Sequence, residues 1–190
     1  MKKKAILFFS FAIIFNTILI LLFNGYYSQK RLQKFLEIRK EEFQIEIEND
    51  FKIFDLLLHN IEQKMVSVMD KEIMEIYSDL KKKPDMFRLS PQELKKIALK
   101  HHVDEIYLIN KEGTIVNTSF LPDMEFNLFS VEEDFANFLK SIYGKGKIFH
   151  QRIAISNKTG ILNMYAYYSP PQSDYILEIS VRVRNFVKKH

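Results

Sequence analysis

The segment His102-Val-Asp-Glu-Ile-Tyr-Leu-Ile-Asn-Lys-Glu-Gly-Thr-Ile-Val-Asn-Thr-Ser-Phe120 sets the architecture of this chain. Val103 to Ile109 and Thr114 to Phe120 are two short β-rich runs. Asn110-Lys111-Glu112-Gly113 joins them, a turn signal with Gly at its end, so the runs form an antiparallel pair. Before His102 the apolar period is helical, and after it the period is that of strands. The chain changes from helix to sheet at that point.

Downstream, Ser130-Val131-Glu132-Glu133-Asp134-Phe135 opens a helical interlude. Ser130 is its expected cap, with Glu133 three residues on, and it ends at Gly144 and Gly146. Three strands follow: Lys147 to Ser156, Ile161 to Tyr168 and Asp174 to Val183. Asn157-Lys158-Thr159-Gly160 and Pro170-Pro171-Gln172-Ser173 separate them. The last strand alternates, with Tyr175, Leu177, Ile179, Val181 and Val183 on one face. Glu178, Ser180 and Arg182 share the other face with Ile176.

Upstream, Ser90-Pro91-Gln92-Glu93 carries the marks of a helix start: a capping Ser, Pro at the first helical position, and Glu to close a capping box. This helix runs to His101-His102. Adjacent histidines on a helix point about 100° apart and cannot share a metal as an i, i+4 pair does, so no metal site is expected there. From Tyr26 to Lys83 there is neither Gly nor Pro, a run of 58 residues. Apolar residues recur every three or four positions at Leu32, Leu36, Phe43, Ile47, Phe51, Phe54, Leu58, Ile61, Met65, Val68, Ile76 and Leu80. A helix of that length reaches roughly 80 Å, more than one compact domain needs. Its more charged half, 28–50, suits a stalk between two copies of the chain. The richer segments beyond Phe51 suit packing on a domain. Asp50, Asp55, Glu62 and Asp70 read as solvated helix charges, and Pro84 ends the helix after Lys81-Lys82-Lys83. The order is helix, helix, two strands, helix, three strands, an α+β fold.

Ala5 to Phe23 is a stretch of 19 residues without a charge, close to the ~20 that cross a hydrocarbon core as helix. Lys2, Lys3 and Lys4 precede it and stay cytoplasmic by the positive-inside rule, which sends the rest outward. The exit Phe23-Asn24-Gly25-Tyr26-Tyr27-Ser28 has bulky residues where a signal protease wants small ones, and two tyrosines suited to a membrane interface. The run therefore reads as an uncleaved anchor. A pilin would need a processing Gly before the helix and a Glu near its start, and neither is present.

The organisation expected is a basic tail (1–4), an anchor (5–25), a long helix serving as stalk and spine (26–83) and a sheet domain (84–187). The net charge of +4 does not indicate nucleic acid. Without the three leading lysines, 25 basic residues of the total 28 face 24 acidic ones, and no basic stripe with interleaved aromatics remains. There is no Cys, hence no disulfide, thiolate nucleophile or Cys-ligated metal. No phosphate loop, zinc-protease helix or Gly-x-Ser-x-Gly occurs, so the chain is not read as an enzyme and no cofactor is expected. Asn117-Thr118-Ser119 and Asn157-Lys158-Thr159 fit glycosylation sequons by chance.

The layout, with the 102–120 segment and the closing run Tyr165-Ala-Tyr-Tyr-Ser-Pro-Pro-Gln-Ser-Asp-Tyr-Ile-Leu-Glu-Ile-Ser180, resembles the Cache domains of bacterial transmembrane receptors, extracytoplasmic relatives of PAS domains. The resemblance covers essentially residues 30–187. It implies a five-stranded antiparallel sheet with the long helix behind and a small-ligand pocket in front. It also implies output through a second transmembrane helix into a histidine kinase, a chemotaxis module or a cyclic-dinucleotide enzyme. The sequence here stops at Val187-Lys-Lys-His190 without a second apolar span, the pattern of a fragment or of a truncated or stand-alone ectodomain. It also lacks an Arg-x-Trp-Tyr amino-acid signature, so amino-acid recognition is not implied.

A pocket for a small polar ligand needs a few converging polar groups. Candidates are Tyr107, His150, Arg152, Tyr165 and Tyr167 on strands, with Asn117, Ser119 and Asp123 near the end of the second strand. His150 and Arg152 share one strand face, as do Tyr165 and Tyr167. Arg152 could take a carboxylate in bidentate fashion, and each tyrosine could equally be an ordinary half-buried strand residue. The expected function is extracytoplasmic small-ligand sensing by a membrane-anchored receptor module, dimeric through the long helix. The alternative is an anchored module that docks a protein partner.

Overall fold

The computed structural model describes residues 13–156 and 159–189. One helix, α1 (Lys2–Lys81), carries both the expected anchor and the expected stalk. Part of the apolar run from Ala5 to Phe23 lies outside the described residues, as do Asn157 and Lys158 of the expected turn. Among the described residues no helix is long and apolar enough to cross a membrane. The chain forms two compact units, Met1–Asp55 and Leu56–His190. The first is helix. Its apolar residues Leu32, Leu36, Phe43, Ile47 and Phe51 are all exposed, between 38% and 69%.

The second unit begins with the last part of α1, which stops at Lys81, short of Lys82-Lys83-Pro84. A residue before proline is pushed out of the helical region, so the helix unwinds ahead of Pro84. A 3-10 turn at Met86–Arg88, capped by the Asp85 side chain, leads to α2 (Pro91–Lys100). There the Ser90 hydroxyl accepts from the Glu93 N–H, and the Glu93 carboxylate accepts from the Ser90 N–H at 2.9 Å, the expected capping box. His101 is the C-cap, and His102 turns the chain with φ 57°.

Five strands follow: β1 (Glu105–Asn110), β2 (Ile115–Thr118), β3 (Ile148–Ile155), β4 (Leu162–Tyr168) and β5 (Tyr175–Arg182). They form one antiparallel sheet in the order β2-β1-β5-β4-β3, which puts the last strand in the centre. The β1–β2 turn is the predicted one. The Asn110 side chain accepts from the Thr114 N–H at 2.8 Å, and Gly113 has φ 78°. Helix α3 (Glu133–Ile142) lies between β2 and β3, and α4 (Val183–Lys189) follows β5.

The expected cap of α3 is corrected. Glu132, not Ser130, is its N-cap and makes no side-chain cap bond. Ser130 belongs to a preceding 3-10 turn (Leu128–Ser130), whose cap is Asn127, accepting from the Phe129 N–H. The Ser-x-x-Glu spacing is present, but the 3-10 turn capped by Asn127, three residues upstream, takes up Ser130, and α3 starts only after it.

Both faces of the sheet are covered. On one, Met65, Met69, Ile73, Ile76 and Leu80 of α1 are at most 1% exposed. They pack on Ile106, Leu108, Met164, Ala166, Leu177, Ile179 and Val181. Each such side chain contributes roughly 2 kcal/mol by leaving water. On the other face, Leu139 and Ile142 of α3 pack on Ile109, Ile176 and Tyr167. The predicted alternation of β5 is thus the division between the two layers. One of the helix charges read as solvated, Glu62, is buried, and Asp70 is half-exposed. Glu62 is 7% exposed and accepts from the Ile153 N–H at 2.8 Å, and Asp70 lies 3.1 Å from His150 Nε2.

Candidate ligand-binding site

A cleft of roughly 340 Å³ opens on the sheet face away from α1. Its floor is set by strand register. Tyr107, Glu178 and Tyr167 stand side by side on β1, β5 and β4. The next row holds Glu105, Ser180, Tyr165 and Gln151 across β1, β5, β4 and β3. Directly opposed residues share a face, so both rows point one way. Phe120, Asp123, Phe126, Leu128 and Val131, from the segment between β2 and α3, and Phe135 of α3 form the other wall.

A β-bulge shapes the β3 side. Gln151 pairs with Tyr165 and Ala154 with Asn163, so β3 has one residue more than β4 between those pairs. The extra residue brings both Gln151 and Ala154 to the cleft, while Ile153 packs into the α1-facing core.

The polar groups are unequally satisfied. Glu105, 4% exposed, is well bound: Arg182 donates to its Oε1 at 2.8 Å, Ser180 Oγ to its Oε2 at 2.8 Å, and Tyr107 Oη to the same oxygen at 2.9 Å. That hydroxyl also lies 3.2 Å from Asp123 Oδ2, and with one proton to donate it serves one carboxylate at a time. Tyr167 donates to Gln151 Oε1 at 2.9 Å, and Asn163 Nδ2 donates to the Tyr165 hydroxyl at 3.2 Å. Glu178 is different. It is 6% exposed, and its Oε2 is buried without a hydrogen-bond partner.

Burial, and then the charges of Asp123 and Glu105, push the Glu178 carboxyl up from 4.5 to about 8. Burial likewise raises the hydroxyls of Tyr107, Tyr165 and Tyr167, with the Glu105 and Glu178 charges adding to it at Tyr107. Each keeps its proton, which Tyr107 and Tyr167 donate to Glu105 and Gln151. The hydrogen bond to Glu105 raises the Arg182 guanidinium further.

Of the candidate residues, Tyr107, Asp123, Tyr165 and Tyr167 meet in the cleft. The other four do not line it. His150 and Arg152 do share a face, but it is the one turned to α1, where Asp70 meets the first and Glu62 the second, at 3.3 Å from Arg152 Nε. Asn117 donates to the carbonyls of Met86, Phe87 and Leu89, pinning the loop after α1. Ser119 Oγ accepts from the Ile106 N–H at 2.9 Å and completes the end of the β1–β2 pair. Residues not singled out from the sequence are Glu105, Gln151 and Glu178. The sign for Glu178 was a carboxylate set between Leu177 and Ile179.

A second cluster surrounds His101, 5% exposed, on the α1 side. Its Nδ1 lies 3.2 Å from Glu72 and 3.4 Å from Glu75, and its Nε2 lies 3.0 Å from Asp79. Hydrogen bonds from Lys100, His101 and Lys82 hold the Asp79 carboxyl well below the usual carboxylate range. These contacts tie α2 to α1.

No family model and no curated protein matches the chain. Several solved structures similar to it are sensor domains. The sensory domain of the Campylobacter jejuni chemoreceptor Tlp3, with isoleucine bound, is 12% identical over 70% of this chain and 59% of that one, with a TM-score of 0.48. The sensor domain of the V. cholerae histidine kinase DctB is 12% identical over 69% of this chain and 55% of that one, at 0.45. The Bacillus subtilis YkuI protein, which has an EAL domain and was solved with c-di-GMP and calcium, is 17% identical over 67% of this chain and 36% of that one, at 0.47. This chain therefore spans less than two thirds of each of them. These three TM-scores are all below 0.5.

Proposed function

We propose that this chain is the small-ligand-sensing input part of a membrane-anchored receptor of Cache type, held by residues 5–23 with the sheet unit on the extracytoplasmic side. Its output would be a kinase, a chemotaxis module or a cyclic-dinucleotide enzyme. The observation that carries the reading is the cleft, with a buried carboxylate oxygen of Glu178 left without a partner at its floor. A buried polar atom without a hydrogen bond costs on the order of 1–3 kcal/mol, and a ligand that supplies the missing donor recovers it. The β3 bulge supports a route for the signal. Its Ile153 N–H is held by Glu62 of α1, so the cleft wall and the helix share a contact. Ligand would then bias two packings of the helix, as far as its affinities for them differ.

The role of α1 as a dimer stalk is part of the same proposal. Leu32, Leu36, Phe43, Ile47 and Phe51 form an exposed apolar series at helical spacing, suited to a second copy of this chain. The alternative of docking a different protein draws on the same exposed series. Sedimentation of the detergent-solubilised chain separates the two. A dimer that Phe43→Glu and Phe51→Glu together dissociate supports the stalk, and a monomer at high concentration counts against it.

The sensing role is tested by a thermal-shift screen of the full chain in detergent against small amines, carboxylates, sugars and nucleobases. A ligand bound to the native state raises Tm by mass action. A reproducible rise that cleft substitutions abolish supports sensing. A well-folded chain that ignores the whole library refutes it in favour of docking.

A further inference from the structure

The cleft also carries information about the charge of what it binds, on the reading above that it is a ligand site. Three carboxylates, Glu105, Asp123 and Glu178, line it, with Glu132 exposed at its rim. Among the described lining residues there is no Lys, Arg or His. Arg182 is bonded to Glu105 and meets its charge. Glu178 has no such partner and is almost fully buried. An anionic ligand would face Glu105, Asp123 and Glu178 with no cation among the described lining residues. A neutral donor could bond to Glu178 but brings no positive charge to draw off its proton.

We propose that the cleft binds a small organic ammonium ion, its N–H group donating to Glu178 Oε2 and its hydrocarbon part lying against Tyr107, Tyr165, Tyr167, Phe120 and Phe135.

Two features separate an organic cation from a metal ion. First, among the described residues Glu105, Asp123 and Glu178 do not bring three ligand atoms within 4.8 Å of one another, as a shared metal would require. Second, the walls are aromatic. A ring face attracts an ammonium group within about 6 Å of its centroid and packs against alkyl or aryl carbon as well. The volume lies at the low end of the range for ligand pockets, which limits the ligand to a small molecule.

The protonation of Glu178 gives the binding a pH signature. With its carboxyl pushed up to about 8, the empty cleft holds a proton there at neutral pH. An ammonium ligand needs the carboxylate and displaces that proton. Affinity then rises about tenfold per pH unit below 8 and levels off above it, over a range in which the ligand stays charged. The groups that face Glu178 are Tyr107, Tyr165, Tyr167, Glu105 and Asp123, with Glu132 at the rim and Arg182 behind Glu105. The tyrosines keep their protons across this range.

The test uses the full chain in detergent and three probes on one carbon skeleton: phenethylammonium, 3-phenylpropionate and 2-phenylethanol. Binding is read by calorimetry and thermal shift between pH 6 and pH 9. The expected result is binding of the ammonium alone, tightening with pH as described, and weakened at least about tenfold by Glu178→Gln with the pH dependence lost. Should that variant fail to fold, Asp123→Asn in the exposed turn and the wild-type pH profile carry the same test. Binding of the carboxylate in preference to the ammonium overturns the inference and leaves sensing intact. So does ammonium binding that is independent of pH and of Glu178. Failure of all three probes also overturns it. Only silence across the wider library would take the sensing role with it.

Discussion

Replacing Glu178 by Gln isolates the energy stored in one buried acid. The carboxyl titrates at about 8 in the folded chain against 4.5 when unperturbed, with burial the first cause. Between those values the native state holds a proton that the unfolded chain has released. Stability therefore falls as pH rises through that window and is flat above it. At 1.36 kcal/mol per pH unit the full loss is on the order of 5 kcal/mol, and roughly 3 kcal/mol of it is already spent at pH 7. Gln keeps the shape and has no proton to lose. Glu178→Gln should match the wild type near pH 4.5 and exceed it by several kcal/mol at pH 9 in the absence of ligand. Urea unfolding followed by tyrosine fluorescence suits the chain, which has 9 Tyr and no Trp. Parallel stability curves for the two proteins from pH 5 to pH 9 would refute the assignment of Glu178 as a strained, proton-holding acid.

Other perturbations have defined outcomes. Glu62→Ala leaves the Ile153 N–H in the bulge without its acceptor and should lower unfolding stability by about 1–3 kcal/mol in denaturant titration. Arg152, 65% exposed at its side chain, resolvates and adds little. Gly113→Ala places a methyl 2.5 Å from the Phe129 ring at a residue with φ +78°, so Tm should fall by several degrees. Asp79→Asn removes a carboxylate held low by Lys100, His101 and Lys82. Its destabilisation should be full at neutral pH and shrink as pH falls below 3.8, where the unfolded carboxyl begins to take up its proton. Tyr107→Phe deletes the donor shared by Glu105 and Asp123, and should weaken ligand binding while leaving the sheet's far-UV dichroism unchanged.

What could be read from the sequence follows how local each signal is. The capping box at Ser90 and the turn at Asn110 to Gly113 depend on neighbours three or four residues away, and both form. The faces of β5 depend on alternation alone, and they separate the two layers. Tyr165 and Tyr167 reach the cleft by the same parity. His150 and Arg152 show where this reasoning stops. Parity puts the two on one face of β3, and only the position of α1, with Asp70 and Glu62 on it, says which face that is. The bulge then shifts the parity of the rest of the strand. Asn117 and Ser119 had the right chemistry for a ligand and spend it on backbone groups of the protein itself. Glu105 carries no local sign of function, and Glu178 only that of a carboxylate between two apolar strand residues. They become neighbours only when β1 and β5, far apart in the chain, lie side by side.

The central place of β5 governs how the molecule can be made. Ser180 and Glu105, bonded across β1 and β5, are 75 residues apart in sequence. Until the final strand has been synthesised, β1 lacks a partner on one edge and β4 on one edge, and the sheet is two separate pieces. Pairings of such separation are slow to close, and open strand edges invite aggregation while they wait. A chain emerging from a ribosome or a translocon can form its long helix and its β1–β2 hairpin early. The cleft, whose floor runs across β1, β5 and β4, exists only after the last strand has slid between the other two.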